Sequence, residues 1–135
     1  MSSRSPYQAE IEELHEFFVE WYTATIPENR FDRMERAIAP GFEMVTPDGV
    51  RRNRSVVLDA VRKSHGRDDP GEFDIDIRNV EVVEDLDAYA LVRYEEWQTS
   101  GAEHTGRVST VLFREQSDAP GGLQWIDLHE TWLER

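Results

Sequence analysis

Apolar residues recur at three- and four-residue steps near the start of the chain, where Ile11, Leu14, Phe18, Trp21 and Tyr22 form one stripe at helical spacing. Ser5-Pro6-Tyr7-Gln8 supplies a start signal: Ser5 as N-cap, Pro6 at the first helical position, and Gln8 placed to reach back to the cap. The pattern predicts a helix from Pro6 to about Thr23. Thr25-Ile26-Pro27 ends it, because proline disfavours helical geometry in the residue before it. A second, shorter helix with Phe31, Met34 and Ile38 on one face is predicted to stop at Pro40-Gly41. Phe42 to Thr46 reads as a strand, Pro47-Asp48-Gly49 as a turn and Val50 to Arg52 as a brief return strand. A third helix from about Ser55 turns Val57, Leu58 and Val61 inward, with Gly66 where a C-terminal cap belongs.

From Phe73 the period changes to two. Phe73, Ile75 and Ile77 alternate with Asp74, Asp76 and Arg78, until the phase slips at Asn79 and Val80 and Val82 take the apolar role. One extra residue there predicts a bulge that bends the strand. Asp85-Leu86-Asp87 turns into a strand over Ala88 to Gln98, followed by His104 to Arg114, a loop over Gln116 to Gly122, and a last strand from Leu123 to about Trp132. Helix, helix, hairpin, helix and four strands predict one α+β domain over residues 1–135, with three helices on one face of a curved, mostly antiparallel sheet. The central strands are apolar on both faces, with Ala90, Val92 and Tyr94 on one and Leu91 and Trp97 on the other. Helices cover only one of these, so a homodimer through the other sheet face is expected.

Charge narrows the range of partners. With 28 Asp and Glu against 15 Lys and Arg, the net charge is −13. Such a surface repels phosphate backbones and anionic lipid, which sets nucleic acid and membrane aside as partners. The absence of cysteine removes disulfides, thiol nucleophiles and cysteine-based zinc sites together. The opening residues lack the apolar run of a signal peptide, and Ala88 to Val92 is far too short to span a bilayer, so a cytoplasmic protein is expected. Glu12-x-x-His15 has a spacing used in carboxylate-bridged metal sites but lacks a second copy, and the other histidines are scattered. No metal site is expected, and His15 reads as a flank or pocket-rim residue. Phosphate loops and dinucleotide fingerprints are absent, so no cofactor is expected.

Three segments carry a resemblance: Phe42-Glu43-Met44-Val45-Thr46-Pro47-Asp48-Gly49, the run from Gly106 to Arg114, and Trp125-Ile126-Asp127-Leu128-His129. In this order and separation they resemble the nuclear transport factor 2-like superfamily, the cone-shaped fold of ketosteroid isomerases and SnoaL-like polyketide cyclases. The resemblance covers residues 6 to 133 and implies a pocket between the first and third helices and the concave sheet, in a protein that is commonly dimeric. Ketosteroid isomerases keep a general-base Asp before a proline on the first strand, an oxyanion-hole Tyr on the first helix and a protonated Asp in a later strand. Anchored on Pro47 without gaps, the tyrosine falls on Tyr22, the base on Thr46, and the later Asp on Ser109 or Thr110. With two of the three groups missing, the resemblance implies the fold with the isomerase site emptied.

The polar residues left for chemistry follow from strand alternation. If Ala90 and Val92 face the helices, so do Tyr94 and Glu96, while Arg93 and Glu95 point outward. A carboxylate at the mouth of an apolar pocket has its pKa raised by desolvation, which makes Glu96, with Tyr22, the candidate catalytic pair. The alternative puts Glu96 beyond the covered part of its strand, in water. Phe18, Trp21, Thr46, Tyr94 and Thr110 are candidate ligand-binding residues. On the last strand, Ile126 and Leu128 inside turn Glu130 inward and leave His129 outside, whereas a bulge reverses this, so Leu128, His129 and Glu130 all stay candidates. Arg107 either clamps an anionic ligand or pairs with a surface carboxylate.

Two functions are open at this point. One is a pocket protein for a small, partly apolar molecule, whose enzymatic version is acid/base isomerisation, cyclisation, dehydration or hydrolysis. The other is a non-catalytic homodimeric association module with its cavity filled by Phe18, Trp21, Phe31 and Met44.

Overall fold

The computed structural model describes residues 5–133. Helix α1 (Pro6–Tyr22) starts at its cap, where Ser5 Oγ accepts the Gln8 N–H at 3.1 Å. The Gln8 side chain turns forward to Glu12 Oε2 at 3.2 Å rather than back to the cap. After a single 3₁₀ turn, Glu28–Arg30, come α2 (Asp32–Ala37), β1 (Ile38–Val45), β2 (Arg51–Asn53) and α3 (Arg54–Arg62). The long strands follow: β3 (Phe73–Leu86), β4 (Tyr89–Ser100), β5 (Glu103–Glu115) and β6 (Leu123–Trp132). They form one sheet ordered β2-β1-β6-β5-β4-β3, antiparallel throughout except for the parallel pair β1 and β6. This is the predicted α+β class, with helices packed against one face of the sheet.

Two departures from the predicted pattern, and one irregularity it foresaw, have physical causes. Ile38 opens β1 instead of closing α2, and Pro40-Gly41 lies inside the strand. Proline cannot donate to a ladder, and it is tolerated here because the pairing with β6 is interrupted between Ile38 and Glu43. In β3 the predicted bulge is present: the register steps between Arg78 and Glu81, and Asn79 takes φ +54°, a left-handed conformation that asparagine tolerates. In β6 the register steps between Asp127, opposite Leu112, and Trp125, opposite Phe113, so Ile126 is the extra residue. Trp125 takes the core position that alternation assigned to Ile126.

The core lies between α1 and the concave sheet. Ile11, Leu14, Phe17 and Trp21 of α1 meet Val92, Val111, Phe113 and Trp125 of the strands. On the convex face Leu91, Val108 and Leu112 are half-buried. No described helix is long and apolar enough to cross a membrane.

Candidate functional site

Strand register assembles a polar patch on the concave face. Tyr94 of β4 pairs with Ser109 of β5, and Ser109 with Glu130 of β6; one step along, Glu96 pairs with Arg107, and Arg107 with Trp132. Alternation points each of these rows at α1. Beneath α1, Tyr94, Glu96, Arg107 and Glu130 of these rows border a cavity of about 160 Å³, closed by the polar His15, Tyr22 and Gln98 and by an apolar wall that includes Leu14, Phe18, Phe42, Val57, Ile75 and Leu128. A shallower recess carrying Thr46, Asp48, Arg52 and Arg67 shares Tyr22, Met44, Arg107 and Glu130 with it and forms its mouth.

His15 enters the cavity from α1. Its Nδ1 donates to the Ile11 carbonyl at 2.7 Å, and its Nε2 lies 3.1 Å from Glu96 Oε1. A carbonyl only accepts, so Nδ1 carries a proton, and the second bond faces a carboxylate. Burial works against charge on His15, yet its pKa is raised, because the Glu96 charge and hydrogen bond outweigh that cost. Glu96 shifts down: burial opposes this, and the charge and bond of His15, then Arg107 and the Gln98 amide, overcome it. Gln98 Nε2 donates to Glu96 Oε2 at 2.6 Å. The upward shift expected for Glu96 is therefore reversed, because the pocket that removes water also supplies a cation.

Glu130 behaves as Glu96 was expected to. Burial raises its pKa, the Glu96 charge adds to the rise, and Arg107 and Ser109 only partly offset it. Ser109 Oγ donates to Glu130 Oε2 at 3.1 Å, and an Arg107 amino group to Oε1 at 3.3 Å. The Arg107 guanidinium lies 4.8 Å from the centre of the Trp132 ring.

Two donors on this patch are unused. The Tyr94 hydroxyl and the Arg107 Nε–H are buried and make no hydrogen bond among the described residues. Tyr94 is 1% exposed, and burial, reinforced by Glu96 and Glu130, pushes its phenol well above the ordinary value of 10.0. The neighbouring Ser109 hydroxyl, whose own proton goes to Glu130, opposes this only in part and does not reach hydrogen-bond geometry with Tyr94. Tyr22 is pushed up to about 12, chiefly by burial. The Arg67 guanidinium sits 3.7 Å from the Tyr22 ring centre.

Of the residues singled out in the sequence, Phe18, Tyr22, Tyr94, Glu96, Leu128 and Glu130 line the cavity. Thr46 lies at the mouth, with its Oγ1 accepting the Val50 N–H at 3.1 Å within the turn. Trp21 packs behind the cavity against Phe17 and Phe31 and donates its indole N–H to the Val61 carbonyl at 2.7 Å. Thr110 and His129 pair with each other on the convex face, where Thr110 Oγ1 accepts from Arg93 Nε and His129 is exposed. They fall there because the bulge at Ile126 brings Trp125 inside without moving the residues after it, so Leu128 and Glu130 keep the concave side. Gln98 escaped the sequence reading, and His15, read there as a flank or pocket-rim residue, is instead buried and paired with Glu96. The signal for His15 was its place four residues after Ile11 and three before Phe18, on the edge of the buried stripe.

The cone fold and its concave-face cavity define a protein of the NTF2-like class. Within it, the chain belongs to the sucrose-6-phosphate phosphohydrolase C-terminal family, whose model matches residues 8–134. Sucrose-phosphatase 2 of Nicotiana tabacum is 25% identical over 127 residues, covering 92% of this chain and 30% of its own length. Sucrose-phosphatase 1 of the same plant is 24% identical over 128 residues, again covering 30% of its length. The chain thus spans under a third of these relatives. An NTF-2-like protein of unknown function from Pseudomonas aeruginosa superposes with a TM-score of 0.87 at 26% identity, covering 96% of this chain and 100% of that one. The CaMKII hub of S. rosetta shares the fold at a TM-score of 0.75 and 11% identity, covering 98% of this chain and 100% of the hub.

Proposed function

We propose that this domain binds a small, largely apolar molecule in the concave-face cavity. The observation that carries the reading is the Tyr94 hydroxyl, buried on an apolar wall and without a partner among the described residues. A buried hydroxyl left unsatisfied costs about 1–3 kcal/mol, so it marks a place where a ligand completes the structure. Size limits what enters the cavity itself: about 160 Å³ is close to the volume of an apolar void that holds one benzene, and anything larger must extend into the mouth. A phosphorylated disaccharide exceeds the cavity, so the activity in the tobacco relatives' names is not the one we assign to it. Tyr22 stays neutral across the ordinary pH range and lines both the cavity and its mouth. Glu96, already accepting from His15 and Gln98, holds the histidine in place. Titrating benzene or toluene into labelled protein should move the resonances of Phe18, Ile75 and Tyr94 to saturation. A cavity that leaves them unmoved up to the ligand's solubility overturns the reading.

A second reading, self-association through the convex sheet face, draws on Leu91, Val108 and Leu112 lying half-buried there and on the fold shared with the S. rosetta hub. A dimeric mass by light scattering at micromolar concentration, lost on Leu112→Asp, supports it. A monomeric mass for the wild type removes it.

A further inference from the structure

Tyr94 and Arg107 are diagonal neighbours on adjacent strands, since Arg107 sits two residues before Ser109, the cross-strand partner of Tyr94. Such neighbours are roughly 7–8 Å apart at the backbone, within the combined reach of two long side chains. Both line the cavity, and both keep a buried donor that nothing among the described residues accepts. Two free donors on one wall call for one acceptor.

We infer that the ligand is a neutral carbonyl compound, an amide, ketone or ester on one small ring or branched chain, whose oxygen accepts from the Tyr94 hydroxyl and the Arg107 Nε–H. This rests on the cavity being a ligand site and names the class of ligand. Charge selects neutrality. The cavity's two cationic side chains, His15 and Arg107, are already answered by Glu96 and Glu130. A ligand carboxylate brings a third negative group into a site where burial makes every unbalanced charge costly. A cation meets two donors, and the neighbouring carboxylates are already paired with His15 and Arg107. An alcohol oxygen also accepts, but it brings a proton that must be placed on a carboxylate already holding two donors: Glu96 holds His15 and Gln98, and Glu130 holds Arg107 and Ser109. A carbonyl oxygen has two lone pairs and no proton to place.

The test compares benzene, benzamide and benzoate by chemical-shift titration of the intact chain at neutral pH. Benzamide should bind about tenfold tighter than either of the others, as expected for net hydrogen bonding worth about 1.4 kcal/mol. Tyr94→Phe should abolish the preference for benzamide over benzene. Independently of any variant, the carbonyl stretch of bound acetophenone should fall to lower wavenumber than in hydrocarbon solvent. Benzamide binding no better than benzene, benzoate binding tightest, or an unshifted stretch each overturns the carbonyl assignment while leaving the cavity as a ligand site. Failure of all the probes to bind overturns the ligand site and the assignment with it.

Discussion

His15 and Glu96 are 81 residues apart in sequence and meet as a buried ion pair, Nε2 to Oε1 at 3.1 Å, with both side chains 6% exposed. The pair ties α1 to the middle of β4 and forms one wall of the cavity. Removing one partner strands the other's charge in a dry site, whereas replacing both with apolar groups strands nothing. His15→Leu should therefore cost about 3–5 kcal/mol in urea unfolding, and the double variant His15→Leu/Glu96→Leu should recover most of the loss. A double variant as unstable as the single one would show that the charges are not coupled.

The pH dependence of stability follows from the directions of four shifts. The folded pKa of His15 lies above its ordinary 6.5, so its contribution is complete below 6.5 and is lost as pH rises through the folded value. Glu96 lies below its ordinary 4.5, so its contribution is present above 4.5 and is lost as pH falls through the folded value. Glu130 and Glu10, a buried α1 carboxylate that accepts from Arg33 at 2.8 Å, are raised chiefly by burial, so their contribution is complete below 4.5 and declines as pH rises through their folded values. Together these place the stability maximum near pH 4.5, with the two raised carboxylates eroding stability above it and the loss of the His15 contribution adding to the fall above 6.5. Urea midpoints across the pH range check it, and His15→Leu should flatten the alkaline limb. A maximum above neutrality in the wild type contradicts the pairing.

How much of this was readable in the sequence depends on whether the cause is local. The Ser5 cap, the slip at Asn79 and the alternation that turns Tyr94 and Glu96 inward are set by near neighbours, and strand spacing reveals them. The core place of Trp125 is not readable, because the bulge at Ile126 arises where β6 fits the register of β5, and Leu123 to Trp132 carries no break of its own. Pro40-Gly41 looks like a helix stop until pairing with β6 draws Ile38 into a strand. His15 sits on the edge of an apolar stripe, and its burial is decided by Glu96, which no helical pattern contains. Arg107 was open between clamp and surface pair until its register opposite Glu96 turned it inward.

Gly106 gives a prediction on the convex face. A Cβ built there would lie 2.5 Å from the Trp97 ring, which lies flat over the glycine, stacked on His104. The ring is held in place by its indole N–H bond to Glu95 Oε1 at 2.9 Å. Gly106→Ala should therefore displace Trp97, cost about 1–3 kcal/mol and shift the tryptophan fluorescence. In a Trp97→Leu background the same substitution should cost less, since the obstructing ring is gone. Equal costs in both backgrounds would place the strain elsewhere.

Glu130 yields the opposite kind of variant, one that gains stability. Its raised pKa means that burial and the Glu96 charge together outweigh Arg107 and Ser109, so the ionised form is disfavoured in the folded protein. Glu130→Gln removes that charge and keeps an oxygen to accept from Ser109. It should be more stable than the wild type at mildly alkaline pH, and the advantage should vanish as pH falls through the folded pKa, where the wild-type side chain is also neutral. Urea midpoints at the two pH extremes decide it, and a less stable Glu130→Gln at alkaline pH would mean that Arg107 needs the charge more than the cavity resists it. If the gain is found, the wild type holds a buried carboxylate at the expense of its own stability. Such local conflicts concentrate at sites that bind or react, and this one borders the two free donors of Tyr94 and Arg107.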